Sequence, residues 1–292
     1  MDTTERGAAA AGLMVLAAAA IWGSGGLFIR AAALPAVTMT FFRMVVPAVA
    51  LGGWFLFRRH RISREFLGTR LVASALNAVR MYFFFLAFEY TTVATATVSL
   101  YAWPIFATLF GRLILKERVG RARALLLALA FSGVPLLYLP GGSGAGVRDA
   151  IGISAMIFSA MIHALAVVLF RRARSGNSPF ETTFFQNVLG AIVFAVIFFV
   201  SDAGVAPRQV VIGLSLGAWV GVAGFTLFFM GLHRLGTAGA SLLSYAEVVV
   251  AVALGTVILG EPLYWNTVVG GAVIILALAM AQGQLIQQRV PG

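Results

Sequence analysis

The chain has 292 residues, 61% of them hydrophobic and only 11% charged, with 24 Phe, no Cys and a net charge of +11. That apolar content exceeds what a soluble domain of this size can bury, so the composition points to a lipid environment. The lack of cysteine excludes disulfides and thiolate metal sites.

Runs of roughly 20 apolar residues, enough to cross a hydrocarbon core of about 30 Å as helices, recur at 8–29, 36–57, 67–88, 93–115, 122–139, 150–170, 181–200, 209–231, 237–259 and 265–286. They leave no room for a soluble domain. The first run, with Ala31-Ala32-Ala33 behind it, resembles a signal peptide. Its leader sets Asp2 and Glu5 against Arg6, so the positive n-region is missing and the segment is expected to stay as helix one.

Polar side chains at depth need a partner or a wet cavity, which makes the ionisable groups inside the spans the functional candidates. These are Arg43 in the second span, Arg80 in the third, His163 in the sixth and Glu247 in the ninth. An ion-pair network that only fixes helix packing is the competing account. The second and fourth spans also hold Pro47 and Pro104, each of which removes a helical hydrogen bond. Pro104 follows Trp103 and frees a carbonyl near Leu100.

Spacing groups further polar residues into stripes. The third span carries Ser74, Asn77 and Arg80, with Phe84 beyond, and the fourth carries Thr95, Ser99 and Trp103 at four-residue steps. Ser159 leads to His163 on the sixth span and Thr183 to Asn187 on the seventh. On the ninth, Thr237, Ser241, Ser244 and Glu247 share one helical face. Five such faces turned together would line a central cavity; the rival reading is Ser and Thr bonding back to their own helices. Trp22, Tyr82, Tyr101, Trp103, Trp219 and Tyr245 each bring a polar group to satisfy at depth. Aromatic walls with a few hydrogen-bonding groups suit an amphipathic or cationic ligand. Trp54 and Trp265 fall near span ends as interfacial anchors. Gly213, Gly217 and Gly221 have the small-xxx-small spacing of close helix packing.

The segment from Pro140 to Gly146 joins the two halves. Its glycines match neither a dinucleotide fingerprint nor a P-loop, and it reads as a flexible linker. H-E-x-x-H and G-x-S-x-G are absent from the sequence.

A shift of 144 residues places Ala94, Ala96, Tyr101, Ala102, Ala107, Gly111, Ile114, Leu115 and Glu117 on Ala238, Ala240, Tyr245, Ala246, Ala251, Gly255, Ile258, Leu259 and Glu261. Each half holds five spans. An odd number makes the second half enter the membrane from the opposite side, an architecture of secondary transporters with the substrate site between the halves. Fourteen Lys and Arg surround the even loops, against Arg30, Arg148 and Arg208 in the odd ones. This bias places the even loops and both termini in the cytoplasm and assigns the basic charge to orientation rather than to nucleic acid.

Trp22-Gly23-Ser24, Phe42-Arg43 with Ala48, Leu86-Ala87 with Tyr90-Thr91 and Ala94, Pro104, and Leu115 before Glu117-Arg118 resemble the EamA repeat. Leu259-Gly260-Glu261-Pro262 resembles its second copy. The resemblance to this repeat of the drug/metabolite transporter superfamily covers essentially the whole chain. Within the superfamily, the chain is similar to the YddG-type exporters of aromatic amino acids. The halves differ chemically: Gln186 replaces Arg43, and Glu247-Val248 replace Trp103-Pro104.

The resemblance implies an all-α integral membrane protein of ten transmembrane helices in two inverted five-helix repeats, 1–143 and 144–292. It implies export of aromatic amino acids or similar metabolites across the bacterial inner membrane, in a monomer without cofactor, metal or nucleic-acid partner. Quaternary ammonium compounds, purines and other amino acids fit the same reading, and a channel or a membrane enzyme stays open. The residues expected to line the cavity are Tyr82, Ser99, Tyr101, Trp103, His163, Asn187, Ser244 and Tyr245. Arg43 or Arg80 would meet a carboxylate, and Glu247 an ammonium group or an arginine. His163 and Glu247 leave proton coupling open.

Overall fold

A computed structural model of the chain describes residues 3–60, 62–116, 120–137, 139, 146–173, 178–201, 204–228, 230–231 and 243–287. The described residues are helical apart from short turns. In chain order the helices are α1 (Thr3–Gly23), α2 (Gly25–Ala32), α3 (Ala36–Phe57), α4 (Leu67–Tyr90), α5 (Val93–Leu100), α6 (Trp103–Leu115), α7 (Arg121–Leu136), α8 (Val147–Arg172), α9 (Pro179–Val200) and α10 (Pro207–Leu216). A π-helical segment (Gly217–Gly224) continues α10, and α11 (Ala246–Val257) and α12 (Trp265–Gln287) follow. Thr237, Ser241, Glu117, Arg118 and most of the glycine linker lie outside the described residues.

These elements form ten spans, because α1 and α2 share one, α5 and α6 another, and α10 continues into the π segment. Among the described residues, seven stretches are long and apolar enough to cross a membrane; α7, α11 and the apolar part of α12 are shorter. Local chemistry sets the ends. Thr92 and Ser178 cap α5 and α9 by accepting from Thr95 N and Glu181 N, and Pro179 and Pro207 occupy first turns. Ala33 and Lys116 end α2 and α6 in the left-handed region, at φ 48° and 56°. Pro104 sits in the first turn of α6, so the chain breaks just before it, at Tyr101-Ala102. Pro47 stays inside an unbroken α3. The break at Ser24, beside Gly25-Gly26, has no proline.

Cross-links between helix ends show how the halves are oriented. Arg148, at the start of α8, donates to Glu89 O (3.0 Å) at the end of α4, and its guanidinium lies 5.4 Å from the Tyr90 ring centre. Gln209 donates to Ala32 O (3.0 Å), joining the start of α10 to the end of α2. The second half therefore begins at the end of the molecule where the first span finishes, and the two five-span units run upside down to one another. The opposite end carries exposed Arg58, Arg59, Arg64, Arg112, Lys116, Arg121 and Arg172.

Helix contacts follow this two-fold relation. α4 packs on α8 and α9, and, in their exchanged counterparts, the α10–π span packs on the first span and on α3. The pairs α3–α9 and α7–α12 join corresponding helices of the halves. Close approach explains the glycines of the eighth span. A Cβ on Gly213 would come within 2.5 Å of the Phe42 ring, and one on Gly217 within 2.7 Å of Phe42 O and Val46.

Candidate functional site

Two contacts near the approximate two-fold axis each join residues 144 positions apart, one from each half. The Tyr101 and Tyr245 rings stand 5.3 Å apart. Arg43 Nη1 donates to Asn187 Oδ1 at 3.4 Å. Arg43 lies seven residues into α3, and Tyr101 eight residues beyond the start of α5. At 1.5 Å per residue this places the axis contacts about 10–12 Å below that end of the bundle.

The two flanks of the axis are built differently. On one flank, Arg80 Nε donates to Asn77 Oδ1 (2.9 Å), and Ser159 Oγ donates to Arg80 O (2.9 Å), tying α8 to α4. His163, one turn along α8 from Ser159, meets Trp103 edge-on at 5.3 Å. On the other flank, Trp22 packs on Phe225 (4.9 Å) and Phe228 (5.0 Å). A Cβ on Gly224 would lie 2.6 Å from Trp22 Nε1, so only glycine admits the indole there. The Arg43 guanidinium caps this flank, 5.1 Å from the Phe225 ring centre. Between the flanks, the Tyr101 hydroxyl donates to Ser244 O at 2.6 Å and stands 2.8 Å from Glu247 Oε2.

Trp22, Trp103, His163, Ser244 and Glu247 keep part of their surface open although they lie at mid-span, as walls of a cleft do. Trp22 Nε1 and His163 Nδ1 are buried without a hydrogen-bond partner among the described residues. Such atoms are costly unless a ligand or water reaches them.

The expected site residues thus separate. Tyr101, Tyr245, Ser244 and Glu247 come together, as do Trp103 with His163 and Asn187 with Arg43. Ser99 is fully buried and spends its hydroxyl on Thr95 O (2.7 Å), bonding back within its own helix. Asn187 likewise donates its amide to Thr183 O (2.7 Å). Tyr82 is half-buried, edge-on to Phe83 and against the apolar core around Phe85. Asn77 and Ser159 join the Arg80 flank, and Trp22 forms the other; their stripes and aromatic character are the signal in the sequence.

A second polar assembly closes the end of the bundle near Arg30. Arg30 donates to Glu261 Oε1 (2.8 Å), Phe88 O (2.7 Å) and Thr91 O (2.7 Å). Glu261 Oε2 accepts from Val93 N (2.6 Å), capping α5. Glu89 accepts from Ala36 N, and Asn266 donates to Leu137 O (2.9 Å) and Leu139 O (2.8 Å). These ties draw together spans from both halves. At the basic end, among the described residues, His60 Nε2 pairs with Glu181 Oε1 (2.7 Å), and buried Arg70 donates to Ser63 O (2.8 Å) and lies 3.8 Å from Glu181 Oε2. No sequence pattern flags Arg30 as functional, because a loop arginine there looks like part of the charge bias.

Two upside-down five-helix units around a mid-depth polar cleft define a secondary-transporter architecture. A profile of the EamA-like transporter family matches residues 9–139 and 150–282, and the chain belongs to that family. It is similar to an uncharacterized transporter of Archaeoglobus fulgidus, 25% identical across 91% of this chain and 94% of the relative. It also resembles the uncharacterized transporter YxxF of Bacillus subtilis, 25% identical over 88% of this chain and 84% of that one. The pseudopaline exporter CntI of Pseudomonas aeruginosa is 26% identical over 56% of each chain. A crystal structure superposes on 97% of this chain and 99% of its own with a TM-score of 0.66 at 21% identity, a likeness of fold.

Proposed function

We propose that this membrane transporter exports aromatic amino acids or similar small amphipathic metabolites across the bacterial inner membrane by alternating access. Its termini face the cytoplasm, its repeats divide near residue 143, and it works as a monomer. The observation carrying this reading is a cleft that sets cations beside aromatic rings. Arg80 and His163 stand with Trp103 on one flank, Arg43 caps Trp22, Phe225 and Phe228 on the other, and Trp22 Nε1 and His163 Nδ1 have no hydrogen-bond partner among the described residues. A carboxylate suits the Arg80 flank, because a guanidinium matches its planar fork. An aromatic ring suits the opposite wall. The ties around Arg30 hold one end together, so the site is reached from the basic, cytoplasmic end. Rocking of the repeats would break those ties and expose the cleft outward.

The test is phenylalanine and tryptophan counterflow in proteoliposomes. An aromatic contact contributes about 0.5–1.5 kcal/mol, so Trp103→Ala should lower flux by up to about tenfold in a protein that still purifies folded. Tyr101→Ala should do the same. Unchanged flux in both variants would remove them from the site. The pseudopaline exporter among the relatives adds larger amino-acid-derived solutes to the panel.

A further inference from the structure

The Tyr101 hydroxyl touches two oxygens. Ser244 O, at 2.6 Å, is a backbone carbonyl and can only accept. Glu247 Oε2, at 2.8 Å, is the second. A phenol has a single proton to give. If that proton goes to Ser244 O, the short contact to Glu247 is a full hydrogen bond only when the carboxyl group brings a proton of its own and donates it to the phenol oxygen. An ionised Glu247 would set a lone pair against a lone pair, or compete with Ser244 O for the one hydrogen.

The rest of the surroundings agree. Among the described residues, no Arg, Lys or His nitrogen stands within 4.0 Å of Glu247; the Arg80 guanidinium attracts it across the cleft without touching it. The elements packed on α11 are the first span and α5. The first span presents neutral Trp22 and Gly23, and its Arg30 is engaged with Glu261 at the end of the bundle. α5 leads to Tyr101; Tyr245 precedes α11 itself. Farther across the cleft, Arg80 is tied to Asn77 and His163 meets Trp103. A carboxylate with no cation in contact is costly at this depth, and a protonated, hydrogen-bonded carboxyl costs far less.

We propose that Glu247 is the proton carrier of this transporter, protonated in the conformation described and exchanging its proton for substrate as the cleft changes sides; this rests on the transport reading above. When the cleft is open to the basic end, the O–H bond of Glu247 breaks, a water molecule takes the proton, and the carboxylate keeps the electron pair. The Tyr101 proton then swings from Ser244 O toward that carboxylate, which alters the tie between the halves at the axis. Water on the other face returns a proton after the cleft turns. Tyr101 is the positioning residue, holding the carboxyl group beside the axis in each state.

Two arms test this. The first needs no substrate: infrared spectroscopy of the purified protein at neutral pH should show a carboxylic acid C=O band that Glu247→Gln removes and Tyr101→Phe shifts. The absence of that difference band would overturn the proposal. In the second, proteoliposomes containing a pH-sensitive dye are given a phenylalanine gradient. The wild type should move about one proton per phenylalanine, by the balance of a single titrating carboxyl. Glu247→Gln should move none, and its remaining flux should lose its pH dependence. Phenylalanine flux without proton movement in the wild type would also overturn it. If no phenylalanine moves at all, the substrate reading fails, and the infrared arm still decides whether Glu247 carries a proton.

Discussion

Removing the Arg30 side chain should loosen the end of the bundle that is held together here. Arg30→Ala deletes three charge-assisted hydrogen bonds and leaves the Glu261 carboxylate, among the described residues, with the Val93 amide alone. Fully buried bonds of that kind contribute about 1.5–3 kcal/mol each. The Arg30 and Glu261 side chains are 32% and 13% exposed, so solvent screening reduces the combined loss to about 2 kcal/mol. That figure corresponds to roughly a 30-fold shift in the equilibrium between closed and open ends. The natural chain has no cysteine, so a single Ala96→Cys reporter has no background. Ala96 is fully buried, one turn deeper than the Val93 cap. Labelling from outside by a membrane-impermeant thiol reagent should accelerate by about 10- to 30-fold in the Arg30→Ala background, and by less in Arg30→Lys. Equal labelling rates with and without Arg30 would refute the idea that these bonds hold the end shut.

Other outcomes follow from packing and orientation. Gly213→Ala forces a methyl group into the Phe42 ring and should cost about 1–3 kcal/mol, read as a lower unfolding temperature of the purified protein. Gly53→Ala, with nothing within 4 Å of its Cβ, should leave that temperature unchanged. Cysteines at Ser201 and Arg64, at opposite ends of the bundle, should report orientation. An impermeant reagent applied to intact cells should label the first and spare the second; the reverse would invert the assigned topology.

Most of the residues proposed to line the cleft are legible in the sequence. Arg43, Arg80, His163 and Glu247 stand out because hydrocarbon tolerates few charges, and a span of about 20 residues gives such a group nowhere to hide. The stripe of Ser74, Asn77 and Arg80 does turn toward the neighbouring repeat: Asn77 donates to Gln186 O (2.5 Å), and Ser74 Oγ accepts from Leu189 N (3.3 Å). Ser99 has the same spacing and bonds its own helix instead, since a hydroxyl on a helix always has a carbonyl one turn back within reach. Tyr82 stands out by residue type alone, and its ring meets Phe83 edge-on.

Hydrophobic periodicity and length determined ten spans, and the 144-residue echo with an odd number of spans per half determined the inversion. Both are local or counting properties, which a sequence carries directly. That Arg80 and His163 join Trp103 on one flank while Arg43 caps Trp22 and Phe225 on the other was decided only in three dimensions, because it depends on how α4, α8, the first span and the π segment pack around one another. The same holds for the Arg30 assembly and for the single phenol proton shared between Ser244 and Glu247. Each joins residues from 58 to 231 positions apart, and a hydrogen bond's direction and length exist only once the helices have met.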